Sequence, residues 1–208
     1  EQVVPTTLYN KKQVNSMFAK ASLGYGGYAF LDASVRKDYS SALFNNANGY
    51  IYPSLGASLI FSDLVKADWL SFAKARVGWA QVGSDLGANL INPAFPTYSG
   101  SYNGYGGKPI MWTKAQLVDD QISPAINSST EFGLDLKMFN NRLGFSGTYY
   151  NETRENDIIP ISVSAGSGYS TKLTNAGKSV RKGVELVLTA NPFKTDSFDW
   201  NFSLNFAK

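Results

Sequence analysis

The sequence has 208 residues, with 19 Lys and Arg against 16 Asp and Glu, a net charge of +3, and neither cysteine nor histidine. The two absences exclude disulfides, thiolate metal sites, Cys nucleophiles and most imidazole-based metal or triad chemistry. The charge is mild, and Lys11-Lys12 and Arg181-Lys182 are isolated pairs, so no nucleic-acid footprint is present. Charged residues make up only 17% of the chain, below the roughly 25% usual in a soluble domain, so something other than charge must cover part of the surface. No apolar run approaches the roughly 20 residues of a membrane helix. The chain begins at Glu1 without a Met or a leader, which predicts a processed product or a piece of a longer polypeptide.

In chain order the residues alternate with a period of two, the pattern of a strand with one apolar and one polar face. Around 15–24, Met17, Ala19, Ala21 and Leu23 alternate with Phe18, Lys20 and Ser22. Around 28–37, Ala29, Leu31, Ala33 and Val35 oppose Phe30, Asp32, Ser34 and Arg36. Around 50–61, Leu55, Ala57, Leu59 and Phe61 oppose Ser54, Gly56 and Ser58, and around 72–83, Ala75, Val77 and Trp79 oppose Lys74, Arg76 and Gly78. Around 129–138, Phe132, Leu134, Leu136 and Met138 oppose Glu131, Gly133, Asp135 and Lys137. Around 142–155, Leu143, Phe145 and Tyr149 oppose Arg142, Ser146, Thr148 and Tyr150. Around 179–190, Val184, Leu186 and Leu188 oppose Gly183, Glu185 and Thr189, and around 198–206, Phe202, Leu204 and Phe206 oppose Asn201, Ser203 and Asn205. The count is about eight strands.

Strands of roughly 9–11 residues suit a tilted bilayer crossing and exceed the usual soluble strand of about 5–6. The connections alternate in length, short at 24–27, 62–71, 139–141 and 191–197, long at 37–49, 84–128 and 156–179. Short turns on one side and long loops on the other are the signature of an outer-membrane barrel, with the short side periplasmic. Tyr25, Tyr28, Trp69, Phe72, Phe139, Phe193, Phe198 and Trp200 cluster near the short turns, and Tyr50, Tyr52, Trp79, Tyr149 and Tyr150 near the long-loop ends. Two such bands read as interfacial girdles. The apolar faces carry no charge, whereas a Lys or Arg there near mid-membrane costs about 2–4 kcal/mol. Trp79, Leu134, Phe145, Leu186, Phe202 and Leu204 are therefore predicted to face outer-membrane lipid, with Arg36, Lys74, Arg76, Glu131, Asp135, Arg142 and Glu185 facing the lumen.

Several stretches resemble the barrel of SusC/RagA-type TonB-dependent outer-membrane transporters: "SVRKDYSS" at 34–41, "YPSLGASLIFS" at 52–62, "LSFAKARVGWAQVG" at 70–83, "EFGLDLKMFNNRLGFSGTYYNETRENDII" at 131–159 and "NAGKSVRKGVEL" at 175–186. They stand in the family's order and cover most of the chain after Ser16. The resemblance implies an all-β fold, a transmembrane antiparallel up-and-down barrel of about 22 strands with a plugged lumen. Residues 1–208 would be an arc of about eight strands, a partial barrel domain with the plug and remaining strands absent. It further implies a SusD-like surface lipoprotein at the extracellular mouth, TonB contacted through a missing N-terminal part, and location in the outer membrane of a Gram-negative bacterium. The lumen-facing charges then either pair with one another or a plug, which is the favoured reading because unpaired charge beside low-dielectric walls is costly, or line a substrate path.

Other motifs have plainer readings. "GKS" at 177–179 lacks the Gly that a phosphate loop needs five positions earlier, where Lys172 stands. "GYGGY" at 24–28 reads as a tight turn using glycine's positive φ. Asp119-Asp120 near Asn127 supplies few of the six to eight oxygens a Ca²⁺ site takes, so no metal and no cofactor is expected. The segment 84–128 contains "FPTYSGSYNGYGGKPIMW", setting Phe95, Tyr98, Tyr102, Tyr105 and Trp112 among Gly, Ser, Asn and Pro. Such aromatic faces suit sugar rings and equally a protein partner, and a long aperiodic loop can also have neither role.

The leading expectation is import of a bulky nutrient, an oligosaccharide or peptide, together with the surface lipoprotein. The alternative is a small self-closed barrel with a structural or adhesion role, since about eight strands can close; pairing between the Met17 and Phe206 strands would mark it. An enzyme is not expected, because without His or Cys no carboxylate or Lys spacing suggests a base or nucleophile. The final strand is expected to have a neighbour on each side, one of them outside this sequence.

Overall fold

The computed structural model describes residues 10–44, 49–65, 67–88, 90–91, 97–103, 105–112 and 115–208. Eight long strands form one antiparallel sheet: β1 (Val14–Tyr25), β2 (Ala29–Ser40), β3 (Gly49–Ile60), β4 (Leu70–Ser84), β8 (Ala125–Met138), β9 (Leu143–Glu155), β12 (Lys178–Lys194) and β13 (Asp199–Ala207). Inside the connections lie α1 (Ser62–Val65), β5 (Thr97–Asn103), β6 (Pro109–Trp112), β7 (Gln116–Val118), β10 (Ile158–Ser162) and β11 (Thr171–Asn175). The large sheet runs β1-β2-β3-β4-β8-β9-β12-β13, so each strand pairs with the one before it in the wall. β1 and β13 are its opposite edges and do not pair with each other, so the sheet is an open arc and not the small closed barrel.

Tight turns set the register at one end. At Tyr25–Tyr28 the Tyr28 N–H donates to the Tyr25 carbonyl at 3.2 Å, and Gly26 and Gly27 hold φ of 59° and 72°. Positive φ at both central residues is what a twisted two-residue hairpin requires, and glycine adopts it without a Cβ clash. Between β8 and β9, Phe139, Asn140 and Asn141 take φ of 55°, 53° and 64° in succession, and the Arg142 N–H closes onto the Phe139 carbonyl at 3.1 Å. Asparagine tolerates this left-handed conformation; phenylalanine rarely does.

The connections differ from the predicted pattern in two respects. β2 extends to Ser40, so residues 41–48 form a connection no longer than residues 61–69 on the turn side, and the alternation in length is not strict. The segments 84–128 and 156–179 are not structureless. They contain β5, β6, β7, β10 and β11, in two sheets ordered β10-β11-β7 and β5-β6. Runs of three to seven residues are too short for their period to stand out in sequence.

The strands also outrun the bilayer. β4 has 15 residues and β12 has 17; at about 3.3 Å per residue β12 spans roughly 56 Å, well beyond a hydrocarbon core of about 30 Å. The buried core sits at the loop end of the wall.

Candidate functional site

The register assigns each wall residue to a face. Leu134 lies across from Ala75 and Gly147, and Gly147 from Leu186, which faces Phe206. The neighbouring rows run Leu136, Phe145, Leu188, Leu204 and Val77, Phe132, Tyr149, Val184. Trp79 stands across from Leu55 and Thr130, and Phe202 across from Ala190. All six residues expected to face lipid thus share one face. At the turn end Phe193 stacks on Trp200 with centroids 6.1 Å apart.

The opposite face holds Arg36, Lys74, Arg76, Glu131, Asp135 and Glu185. Arg142 lies just before β9, its carbonyl accepting from the Asn191 N–H at 2.7 Å. Arg76 is the centre of a small network: its Nη2 donates to Thr148 Oγ1 at 2.7 Å, its Nε lies 3.4 Å from Asp135, and Ser146 Oγ donates to Asp135 at 2.6 Å. Gly133, across the strand pair, leaves room for this arginine, since a Cβ there would fall 2.2 Å from Arg76 Nε. Arg36 pairs with Asp38 at 2.7 Å. Lys74, Glu131, Arg142 and Glu185 make no ion pair among the described residues.

Two expectations about faces need correction. Tyr50, Tyr52 and Tyr150 do not stand in an outward girdle: Tyr50 and Tyr52 share the face of Asp38 and Arg36, and Tyr150 that of Glu131, its ring over Gly183. Phe72 likewise pairs in register with Lys137, on the face its alternation with Lys74 and Arg76 dictates, and the bulge before it returns Leu70 to the apolar face across from Met138. Lys37, Glu155, Lys178 and Lys182 fall on the otherwise apolar face, Lys182 in the row of Trp79, Thr130 and Asn151 and the other three further toward the loops. Lys37 there lies 5.0 Å from the centre of the Tyr39 ring.

At the loop end three connections pack into a cap. Ala42, Leu43, Leu86, Ile122 and Leu173 form a buried cluster, with Tyr50, Ile91, Val118 and Ile158 against it. Ile122 is 0% exposed, and its burial is worth about 2–5 kcal/mol against alanine. Polar contacts tie the same segments. Lys12 Nζ reaches Asp85 Oδ1 at 2.5 Å and the Leu86 carbonyl at 3.0 Å, and Ser40 Oγ also donates to Asp85.

Asp119, just after β7, takes Lys172 Nζ at 2.8 Å, Thr174 Oγ1 at 2.9 Å and the Gln121 N–H at 3.2 Å. Hydrogen bonds from Lys172 and Thr174 hold its carboxyl down to about 2. Its oxygens are thus committed to the cap, which removes it from the cation reading. Asn175 closes the same junction, accepting from the Ser123 N–H at 2.8 Å and donating to the Ser123 and Asn156 carbonyls at 2.8 Å.

The candidate aromatic segment is only partly brought together. Phe95 lies outside the described residues. Tyr98 and Tyr102 are in β5 and Trp112 in β6, with Tyr98 in register with Met111 and Thr97 with Trp112. Tyr105 opens the connecting turn and is fully exposed. "GKS" at 177–179 marks the entry to β12, with Gly177 at φ 103° and Lys178 and Ser179 already in the strand. A hollow of about 710 Å³ is lined mainly by Leu23, Leu31, Leu59, Val77 and Phe132 of the apolar face.

A long, open antiparallel arc with one face that is apolar except for a few charges near the loops, and with loops gathered at one end, is the wall of an outer-membrane β-barrel. The chain belongs to the TonB dependent receptor-like β-barrel family, whose model matches residues 2–208. It is 25% identical over 202 residues to TonB-dependent receptor P39 of Formosa agariphila, covering 93% of this chain and 19% of that protein. With TonB-dependent receptor P3 of the same organism the identity is 24% over 210 residues, covering 98% and 21%.

The arc superposes on the RagAB peptide transporter with a TM-score of 0.81 at 24% identity, over 94% of this chain and 22% of that one. On a mutant ferric enterobactin receptor of Pseudomonas aeruginosa the score is 0.63 at 19% identity, over 96% and 27%. The chain spans about a fifth of the length of the curated relatives. Proteins of this family are receptors of the Gram-negative outer membrane and not enzymes.

Proposed function

We propose that this chain is wall and extracellular cap of a transporter that imports a bulky nutrient, a peptide or an oligosaccharide, with a surface lipoprotein at its mouth and TonB engaged through another part of the protein. The carrying observation is fold agreement: the arc fits the RagAB peptide transporter at a TM-score of 0.81 and siderophore receptors at 0.61–0.63. The apolar face meets lipid and the charged face lines the lumen. The reverse arrangement would set Arg76, Asp135 and Glu185 in hydrocarbon, each cation costing about 2–4 kcal/mol near mid-membrane. The loop end is extracellular, and Lys37 and Lys182 stand at the rim where their ammonium groups reach water.

The barrel wall is then a fixed scaffold. The Arg76–Asp135–Thr148 network holds charge in paired form along the lumen, while Lys74, Glu131, Arg142 and Glu185 are available to a plug or a passing ligand. Phe95, Tyr98, Tyr102, Tyr105 and Trp112, set among Gly, Ser, Asn and Pro in the sequence, are the residues we assign to contact with ligand or lipoprotein. The test removes residues 97–112 from the intact transporter and measures binding of a defined peptide mixture and of oligosaccharides. Loss of peptide binding with the barrel still folded supports the reading. Unchanged binding of both ligand classes removes the aromatic segment from it, and absence of binding by the intact protein removes the cargo.

A further inference from the structure

The junction between the 85–124 and 156–177 connections is held in four independent ways. β7 pairs with β11 in parallel, Gln116 with Thr171, Leu117 with Lys172 and Val118 with Leu173. Asp119 takes Lys172 and Thr174, Asn175 brackets Ser123, and Ile122 packs with Leu173 in the buried cluster. The β2 end joins through Ala42 and Leu43 in that cluster and through Ser40 on Asp85, which also binds Lys12. Hydrophobic burial, backbone pairing and charge-assisted hydrogen bonds coincide here, and opening the junction would break all of them together. The β5–β6 pair lies outside this arrangement, hydrogen-bonded to neither of the other sheets.

We infer that this junction is a static clasp: the two connections stay joined through the working cycle. The inference rests on the transporter reading for its working cycle, but the clasp itself is readable without transport. A segment gates by exchanging two discrete arrangements, and to reach a second one this junction would have to give up all four holds together.

Gln116 and Thr171 are partners on adjacent strands, with Gln116 Nε2 3.5 Å from Thr171 Oγ1. Adjacent strands stand about 4.8 Å apart, within the Cα range a disulfide spans, and this chain has no cysteine of its own to compete. The experiment places Gln116→Cys and Thr171→Cys in the intact transporter in cells. It reads two quantities: the fraction cross-linked under mild oxidation, and uptake of a radiolabelled peptide mixture before and after reduction.

The clasp predicts near-complete cross-linking, equal with and without the peptides present, and uptake within twofold of the unmodified protein in both redox states. Cross-linking below about half, or falling when peptides are added, overturns it. So does uptake that drops tenfold on oxidation and returns on reduction. Absence of uptake in the unmodified protein counts against the cargo assignment and leaves the cross-linking result to decide the clasp. The single variants Gln116→Cys and Thr171→Cys, checked for heat-modifiable migration, separate a folding defect from a locking effect.

Discussion

Replacing Leu134 by arginine puts a charge in the middle of the proposed lipid face. Its row contains Ala75, Gly147, Leu186 and Phe206, and an apolar row lies on each side, through Phe132 and Val184 and through Leu136 and Phe145. Such a position carries the midplane cost of about 2–4 kcal/mol, which at 1.4 kcal/mol per tenfold lowers the folded-to-unfolded ratio about 30- to 700-fold. Glu185→Arg is the control: it adds the same side chain one residue from Leu186 but on the opposite face, the proposed lumen side. Both variants go into the intact barrel, refolded into lipid vesicles and titrated with urea. The reasoning fails if Leu134→Arg unfolds at the urea concentration of the unmodified barrel, or if Glu185→Arg is the more damaged of the two.

Two further outcomes follow from the cap. Ile122→Ala, at a site with no exposure, should cost about 2–5 kcal/mol of local stability. It should raise hydrogen exchange at Ala42, Leu43 and Leu173 while leaving the exchange of β8 and β9 in the wall unchanged. The Asp119 carboxyl, held at about 2 against an ordinary 3.8, stabilises the cap only when ionised. Its contribution is therefore full above about pH 4 and is lost as pH falls from about 4 through about 2. Proteolysis within 115–125 should accelerate over that window, and Asp119→Asn should remove the pH dependence and be cut at the fast rate throughout.

The wall was legible in sequence because a period of two survives over long strands and because Leu134 and Asp135, or Leu186 and Glu185, differ so sharply in polarity. The family motifs reinforced the same strands. What escaped depends on contacts that local pattern does not encode. Asp119 and Thr174 are 55 positions apart, so the cap's clasp has no sequence period, and β7 is three residues long. Tyr50, Tyr52 and Tyr150 were placed by their nearness to loop ends, but a strand end carries aromatics on both faces and only register tells which. Phe72 was placed in the same way, by nearness to a turn, although its parity with Lys74 sets it on the charged face. Lys37 and Lys182 lie inside the strands predicted at 28–37 and 179–190, but the apolar residues that defined those faces stopped short of them.

The central claim is that the apolar face of this arc meets lipid and the charged face meets the lumen. This chain contributes no cysteine, so with any cysteine elsewhere in the intact barrel replaced, single cysteine spin labels can be set at Leu134, Phe145, Leu186 and Leu204, and at Glu131, Asp135, Glu185 and Ser203, in bilayers. Accessibility to oxygen and to a water-soluble nickel relaxant then reads the surroundings of each. The account predicts high oxygen and low nickel accessibility at the first four sites and the reverse, or protection from both, at the second four. Nickel accessibility at Leu134 and Leu186 equal to that at Glu131 and Glu185 would contradict it.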